Sequence, residues 1–359
     1  MPTPKKSILL IGYDSNIGLG VIYCLKSYNY NFYLLTHNKK NAARFSRYIS
    51  KTFLYNDNND DVVELAASIL KQYHIDYLVP YDEIETRKIA EKRAYLSQFA
   101  AITIATNPEF FNIGIHKLQL AEFLTSHNIP CPQFAIYNQT EKVKKIVEEF
   151  GFPLLVKPVR QSAGRMIQKF YDWDSLNTFF ETAGIEKDEF VIQPFIIGSD
   201  LTCNVICEEG KIICYTIQES PIKYGSNFST NDILEYHEDP EVVKMVGNMM
   251  QLLHWNGVAC VDMRRNSVDN SVKILEINGR FWASVVPSFT KAGLNFPLIL
   301  LKKSLGEPID IPIQKNAIQV SLKKYFSMKL HGKRVSFSDT KYQTYFSDPF
   351  ARLMQILKM

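Results

Sequence analysis

The chain has 359 residues, of which 46% are hydrophobic and 22% charged, and a formal net charge of +4. That is too long for one small core and predicts two or three subdomains of an ordinary soluble globular protein, with no charge excess that would itself point to nucleic acid. No apolar run approaches the ~20 residues of a membrane span, and the apolar run 8–11 behind Lys5 and Lys6 is too short for a signal peptide. The six cysteines, at 24, 131, 203, 207, 214 and 260, form no CxxC pair. They predict buried free thiols in a reducing, cytoplasmic setting, with neither disulfide nor zinc site.

In chain order, residues 7–11 read as a buried strand, 21–27 as a helix, 31–35 as a second strand, 60–73 as an amphipathic helix and 77–80 as another strand. Short strands alternating with helices predict a parallel sheet covered on both faces. Gly12, Gly18 and Gly20 lack the GxGxxG spacing, and Thr36-His37-Asn38 closes the second strand without an acidic residue. They predict a tight strand-to-helix turn rather than a dinucleotide site. This unit ends near Thr106-Asn107-Pro108. A helix over 116–127 follows, stopped by Asn128-Ile129-Pro130. Strands at 133–137, 154–158, 166–170 and 190–194 with helices at 141–150 and 174–182 form a small α+β unit. An antiparallel set at 201–208, 211–219, 258–266 and 272–278 comes next, with helices at 240–254 and 294–305.

The densest chemistry lies in Leu275-Glu276-Ile277-Asn278-Gly279-Arg280, which follows Gly257-Val258-Ala259-Cys260-Val261-Asp262 and a turn rich in Asn, Asp and Ser. Read as a hairpin, side chains two apart share a face, so Glu276, Asn278 and Arg280 project together and Asp262 joins them. Oxygen ligands beside a guanidinium suit Mg²⁺ and a nucleoside triphosphate. The same alternation describes a solvated strand face, so the neighbouring motifs decide. Lys157 ends the apolar strand Pro153-Leu154-Leu155-Val156-Lys157-Pro158, before a small-residue turn that contains Gly164. An ammonium group and turn N–H groups can clamp phosphates. Lys117 opens the helix after the first unit. Gln193-Pro194-Phe195-Ile196 runs into a short linker whose backbone edges can read an adenine ring, with Asp200 in reach of a ribose hydroxyl.

Taken in order, Lys117 with its helix ending at Ile129-Pro130-Cys131-Pro132, Lys157-Pro158, the Gln193 hinge, Asp262, and Glu276-Ile277-Asn278-Gly279-Arg280 resemble the ATP-grasp superfamily. The resemblance runs from residue 7 to about 306. It is strongest to the branch of predicted carboxylate–amine ligases related to biotin carboxylase and the carbamoyl-phosphate synthetase large chain. It implies a mixed α/β and α+β chain: an ATP-grasp fold behind an N-terminal Rossmann-like (pre-ATP-grasp) parallel-sheet domain at 1–106. A small lid subdomain with its linker helix would occupy 107–187, an antiparallel subdomain with the metal site 188–310, and a basic aromatic tail 311–359. Asp76-Tyr77-Leu78-Val79-Pro80-Tyr81-Asp82-Glu83 is similar to the fourth strand and acidic turn of the family's first domain.

The resemblance also implies roles. Lys117, Lys157 and the Gly164 loop would hold phosphates, Gln193, Phe195 and Ile196 the adenine, and Asp200 the ribose. Asp262, Glu276 and Asn278 would bind two Mg²⁺ ions, with Mn²⁺ as an alternative. Arg280 and Lys157 would stabilise the transferred phosphoryl group. The implied reaction joins a small-molecule carboxylate to an amine through an acyl phosphate, with release of ADP and phosphate. Two other readings compete. A bicarbonate-activating carboxylase is disfavoured by the ~50 residues that follow Gly306, because biotin carboxylase needs a larger third domain there. A non-catalytic ATP-binding scaffold is disfavoured by four intact convergent polar groups.

The chain departs from the family pattern in three places. His116 precedes Lys117 where Asp is frequent, the phosphate loop has the single glycine Gly164, and Gly279 stands where Pro or Thr is usual. Acceptor substrates are expected beside the insert 219–228, with Lys223 a candidate for an acidic group. Phe281-Trp282 could wall that pocket, although core aromatics are the preferred reading. His74, His127, His237 and His331 show no metal spacing. From Lys315 onward nine Lys or Arg face two Asp. This tail could contact an anionic surface weakly, but is expected to pack its apolar face back on the body. A homodimer is a family-based expectation, and a nucleic-acid partner is not expected.

Overall fold

The computed structural model describes residues 5–357 except 58, 138, 160–166, 183–189, 222–231, 341 and 343–345. Strand β1 (Lys6–Ile11) is buried at every residue after its first, as a strand covered on both faces requires. Around it β2 (Tyr30–Thr36), β3 (Ile49–Leu54), β4 (Tyr77–Pro80) and β5 (Ala101–Ile102) complete a parallel sheet in the order β3-β2-β1-β4-β5. Two of these strands escape the sequence reading. β3 is a half-exposed edge without a clear apolar alternation, and β5 is two residues long. The strand order reverses between β1 and β4, so their carboxyl ends open a crevice at the switch point.

A four-stranded antiparallel sheet follows, with β6 (Ala135–Ile136), β7 (Leu154–Pro158), β8 (Gln168–Phe170) and β9 (Phe190–Pro194) in the order β6-β9-β7-β8. The third sheet contains β10 (Gly198–Glu208), β11 (Lys211–Ser220), β12 (Ile233–Tyr236), β13 (Gly257–Asn266), β14 (Val272–Asn278) and β15 (Ala317–Val320) in the order β14-β13-β10-β11-β12-β15. The long β10 and β13 pair from Gly198↔Asn266 to Cys207↔Gly257. One face packs on the helix Pro240–Leu252 and the buried Trp255; the helix Phe296–Ser304 closes the other against the first sheet.

The stretch expected to be a tail enters this architecture. β15 pairs antiparallel with β12. Its apolar Ala-Ile-Gln-Val run satisfies an edge that would otherwise present unpaired backbone groups. Further on, the helix Pro349–Ile356 buries Ala351. The buried Asp348 carboxylate accepts from Tyr23 Oη at 3.2 Å and from Ser46 Oγ. All six cysteines are free, and five are buried.

Candidate active site

Asp262 and Glu276 are direct cross-strand partners on β13 and β14, and Cys260 faces Asn278. The register shifts just past Asp262, leaving Leu275 as an extra residue on β14. Such a bulge re-aims the side chains beside it. The period-two expectation therefore meets a real cluster. Asn278 Nδ2 donates to Asp262 Oδ2 at 3.0 Å, and Arg280 Nη2 donates to Asn278 Oδ1 at 3.2 Å. Thr202, opposite Asp262 on β10, donates to Asp262 Oδ1 at 3.0 Å.

Two lysines complete the cluster. Lys117 Nζ lies 3.1 Å from Glu276 Oε2. Burial pushes the Glu276 carboxyl up, but Lys117 and Lys157 outweigh it and leave its pKa below the usual value. Lys157 is buried at the end of β7, and burial lowers its pKa to about 8 against the pull of Glu276. Asp262 shifts the other way. Burial and the neighbouring Glu276 raise it. Two close carboxylates, one held up by the other's charge, and an amide oxygen are a donor set that a divalent cation would relieve. The residues present thus fit Mg²⁺. Among the described residues no cluster of three or more His, Cys, Asp or Glu offers another metal site.

His116 explains its departure from the family pattern. It is the N-cap of the helix Lys117–Ser126, and its Nδ1 accepts the Gln119 N–H at 3.3 Å. That is the task an Asp would perform. Gly279 is explained by packing: a Cβ there would sit 2.4 Å from the Phe111 ring, which stacks on Trp255 with centroids 5.6 Å apart.

The hinge is held from outside the expected residue set. Arg264, 6% exposed on β13, donates from Nε to Ile196 O at 2.6 Å and from Nη1 to Asp200 Oδ1. Its guanidinium carbon lies 4.8 Å from the Phe195 ring centroid, and Lys169 Nζ lies 3.7 Å from it. Gln193 is buried, the Phe195 N–H donates to Pro153 O at 3.0 Å, and the Asp200 side chain is half exposed. Sequence reasoning missed Arg264, although it stands two residues from Asp262 and the same alternation places both on one face.

Glu83 was not given a role either. It begins the helix Glu83–Glu91 after β4, and its carboxylate accepts the Gly279 N–H. Burial raises its pKa, partly offset by Arg280. Glu83, Tyr13, Arg87, Asn112, Lys117 and Glu276 line a cavity of about 480 Å³ between the first sheet's switch point and the β13–β14 cluster. The neighbouring Asp82 reaches the loop after β1. Its Oδ2 accepts the N–H groups of Tyr13 and Asp14 at 2.6 and 2.8 Å. A carboxylate therefore sits on N–H groups of the strand-to-helix turn that a phosphate at this loop would need.

Phe281 and Trp282 are core residues: Trp282 is 3% exposed, donates from Nε1 to Ser288 Oγ at 3.1 Å, and packs edge-on to Phe296. Gly164, Lys223 and the greater part of the insert, 222–228, lie outside the described residues.

Known proteins are similar to the chain in sequence and fold. Residues 115–284 match the family model for the ATP-grasp domain. Over 309 residues the chain is 22% identical to the D-alanine–D-alanine ligase of Cupriavidus pinatubonensis, covering 82% of this chain and 92% of that one. Over 350 residues it is 23% identical to the carbamoyl phosphate synthase large chain of Haemophilus ducreyi, covering 91% of this chain and 31% of that one. The crystal structure of N5-carboxyaminoimidazole synthetase from Staphylococcus aureus with ADP is similar at a TM-score of 0.68 and 17% identity, over 90% of this chain and 86% of that one. Residues 115–284, a little under half of the chain, are thus similar to the ATP-grasp domain.

Proposed function

We propose that the protein is an ATP-dependent carboxylate–amine ligase, which activates a carboxylate as an acyl phosphate and joins it to an amine. The observation that carries this reading is the cluster of Asp262, Glu276, Asn278, Arg280 and Lys117, with Lys157 near enough to act on Glu276, beside a cavity lined by Lys117, Glu276, Asn278 and Glu83. The relatives named as ligases supply the reaction class.

In this reading Lys157 and Lys117 hold the phosphates of ATP, together with the loop containing Gly164. Gln193, Phe195 and Ile196, braced by Arg264, border the adenine, and Asp200 meets the ribose. Asp262, Glu276 and the Asn278 amide oxygen would hold Mg²⁺, two ions or Mn²⁺ in the fullest reading, and the metal would supply charge neutralisation to the ATP phosphates. Arg280 faces the charge that develops on the transferred phosphoryl oxygens. A substrate carboxylate attacks the γ-phosphorus. The amine, held by Glu83 next to Gly279, then displaces phosphate from the acyl carbon, and Glu83 accepts its proton. The units 1–106, 107–187, 188–310 and 311–359 would form the first domain, lid, catalytic sheet and appendage of a cytoplasmic enzyme. No described helix is long and apolar enough to cross a membrane.

Phosphate release from Mg-ATP against a panel of carboxylates and amines tests the reaction. ADP formation that requires both partners is expected; AMP and pyrophosphate would overturn the acyl-phosphate route. Glu83→Gln tests the amine position. It is expected to raise the KM for the amine by about tenfold or more, the cost of a lost charged hydrogen bond, and to lower kcat for amide formation because the proton acceptor is gone. Hydroxylamine trapping of the acyl phosphate needs no ammonium receptor and should stay near wild type. An equal loss of hydroxamate would place Glu83 in the activation step instead.

A further inference from the structure

The helix Leu322–Leu330 buries none of its side chains. Lys323, Phe326 and Leu330 stand at i, i+3 and i+7 on its outward face, with Lys329 beside them. Phe326 is 56% exposed and Leu330 86%. The chain that follows leaves Lys333, Arg334 and Phe337 exposed as well. The aromatic groups are ordered: the Tyr325 ring meets Phe326 and Phe337 edge-on, with centroids 5.3 and 5.7 Å apart, and Lys329 Nζ lies 5.9 Å from the Tyr325 centroid. Between Leu322 and Ser347 the sequence has six Lys or Arg and one acid, Asp339. The Asp339 carboxylate accepts the Ser336 N–H at 2.8 Å in a capping box, so it is committed locally.

We propose that this face, Lys323 to Phe337, docks the protein on an anionic lipid surface. Phe326, Leu330 and Phe337 would enter the boundary between headgroups and acyl chains, while Lys323, Lys329, Lys333 and Arg334 meet the phosphates. Charge selects this occupant. A second copy in two-fold contact would set lysine against lysine with one committed acid to pair them. A nucleic acid would match the charge but leave the aliphatic Leu330 without a stacking partner. The proposal does not depend on the ligase reading, since attachment requires neither ATP nor turnover.

The test is sedimentation of the full chain with vesicles of phosphatidylcholine containing about 30 mol % phosphatidylserine, against phosphatidylcholine alone. Binding to the anionic vesicles is expected to be at least about tenfold tighter and to weaken with added salt. The double variant F326S/L330S and the triple variant K323Q/K329Q/K333Q should each lose about tenfold or more in vesicle affinity. Both should keep wild-type thermal unfolding and ATP turnover, because every changed side chain is exposed. No sedimentation with anionic vesicles, equal binding to neutral ones, or wild-type binding by both variants would overturn the proposal. A dimer in light scattering that F326S/L330S dissociates, without vesicle binding, would overturn it in favour of a contact between copies.

Discussion

Glu276→Gln is expected to lower kcat for ADP formation by about three orders of magnitude, the range seen when one pre-organised charge-stabilising group is removed. Glu276 is isosteric with Gln, and its side chain is a quarter exposed, so the hairpin should survive. Two interactions would vanish: one carboxylate of the proposed metal donor set and the 3.1 Å pair with Lys117. A pH signature accompanies the loss. In the wild type, burial and the adjacent Glu276 raise the Asp262 pKa. A carboxylate coordinates Mg²⁺ in its deprotonated form, so wild-type Mg²⁺ affinity should fall as pH drops through that raised value. The Gln variant removes the repelling charge, which lowers the Asp262 pKa and moves the remaining Mg²⁺ dependence to lower pH. Steady-state kinetics, thermal unfolding and Mg²⁺ titration across pH check the three parts. Wild-type turnover in the variant would remove Glu276 from the mechanism.

What could be read from the sequence follows from how locally each feature is encoded. The cluster of Asp262, Glu276, Asn278 and Arg280 is written in one hairpin, where alternation alone decides which side chains share a face. The pairing of Lys117 with Glu276 spans 159 positions, and periodicity carries no information about it. Arg264 obeys the same alternation as Asp262, yet an arginine beside Arg265 near a turn reads as solvated until Asp200 on β10 and Ile196 in the linker before it come against it. Glu83 was visible as part of an acidic turn. Its role needed the Gly279 N–H, which a distant strand delivers. β15 was hidden for another reason. A four-residue run flanked by polar and basic residues lacks the length to announce a strand, and the open edge of β12 recruits it. The apolar outward faces of the C-terminal helices run against the expectation that the tail turns its apolar side inward. Ala351 does so, while Phe350, Leu353 and Ile356 remain exposed.

Lys157→Met should move stability and function in opposite directions. Burial lowers the Lys157 pKa from the ordinary 10.5 to about 8. The unfolded chain therefore binds more protons than the folded one between those values. This group's charge works against the fold below pH 8, and its cost is relieved as pH rises from about 8 to 10.5. A shift of that size corresponds to about 3 kcal/mol at neutral pH. Methionine fills similar volume without a charge, so the ligand-free variant should gain about 1–3 kcal/mol and unfold a few degrees higher. It should also lose the rise in stability that the wild type shows across that alkaline window. The gain carries a functional loss. Lys157 is the ammonium group that the ATP phosphates would meet, and its removal should weaken ATP binding by about a hundredfold. In the wild type the same group predicts ATP affinity that declines as pH rises past about 8, because the neutral amine offers no charge to the phosphates. Thermal unfolding with and without Mg-ATP from pH 7 to pH 10 reads both arms. A variant less stable than wild type without ligand, with ATP affinity unchanged, would make Lys157 a packing residue and move phosphate binding to Lys117 alone.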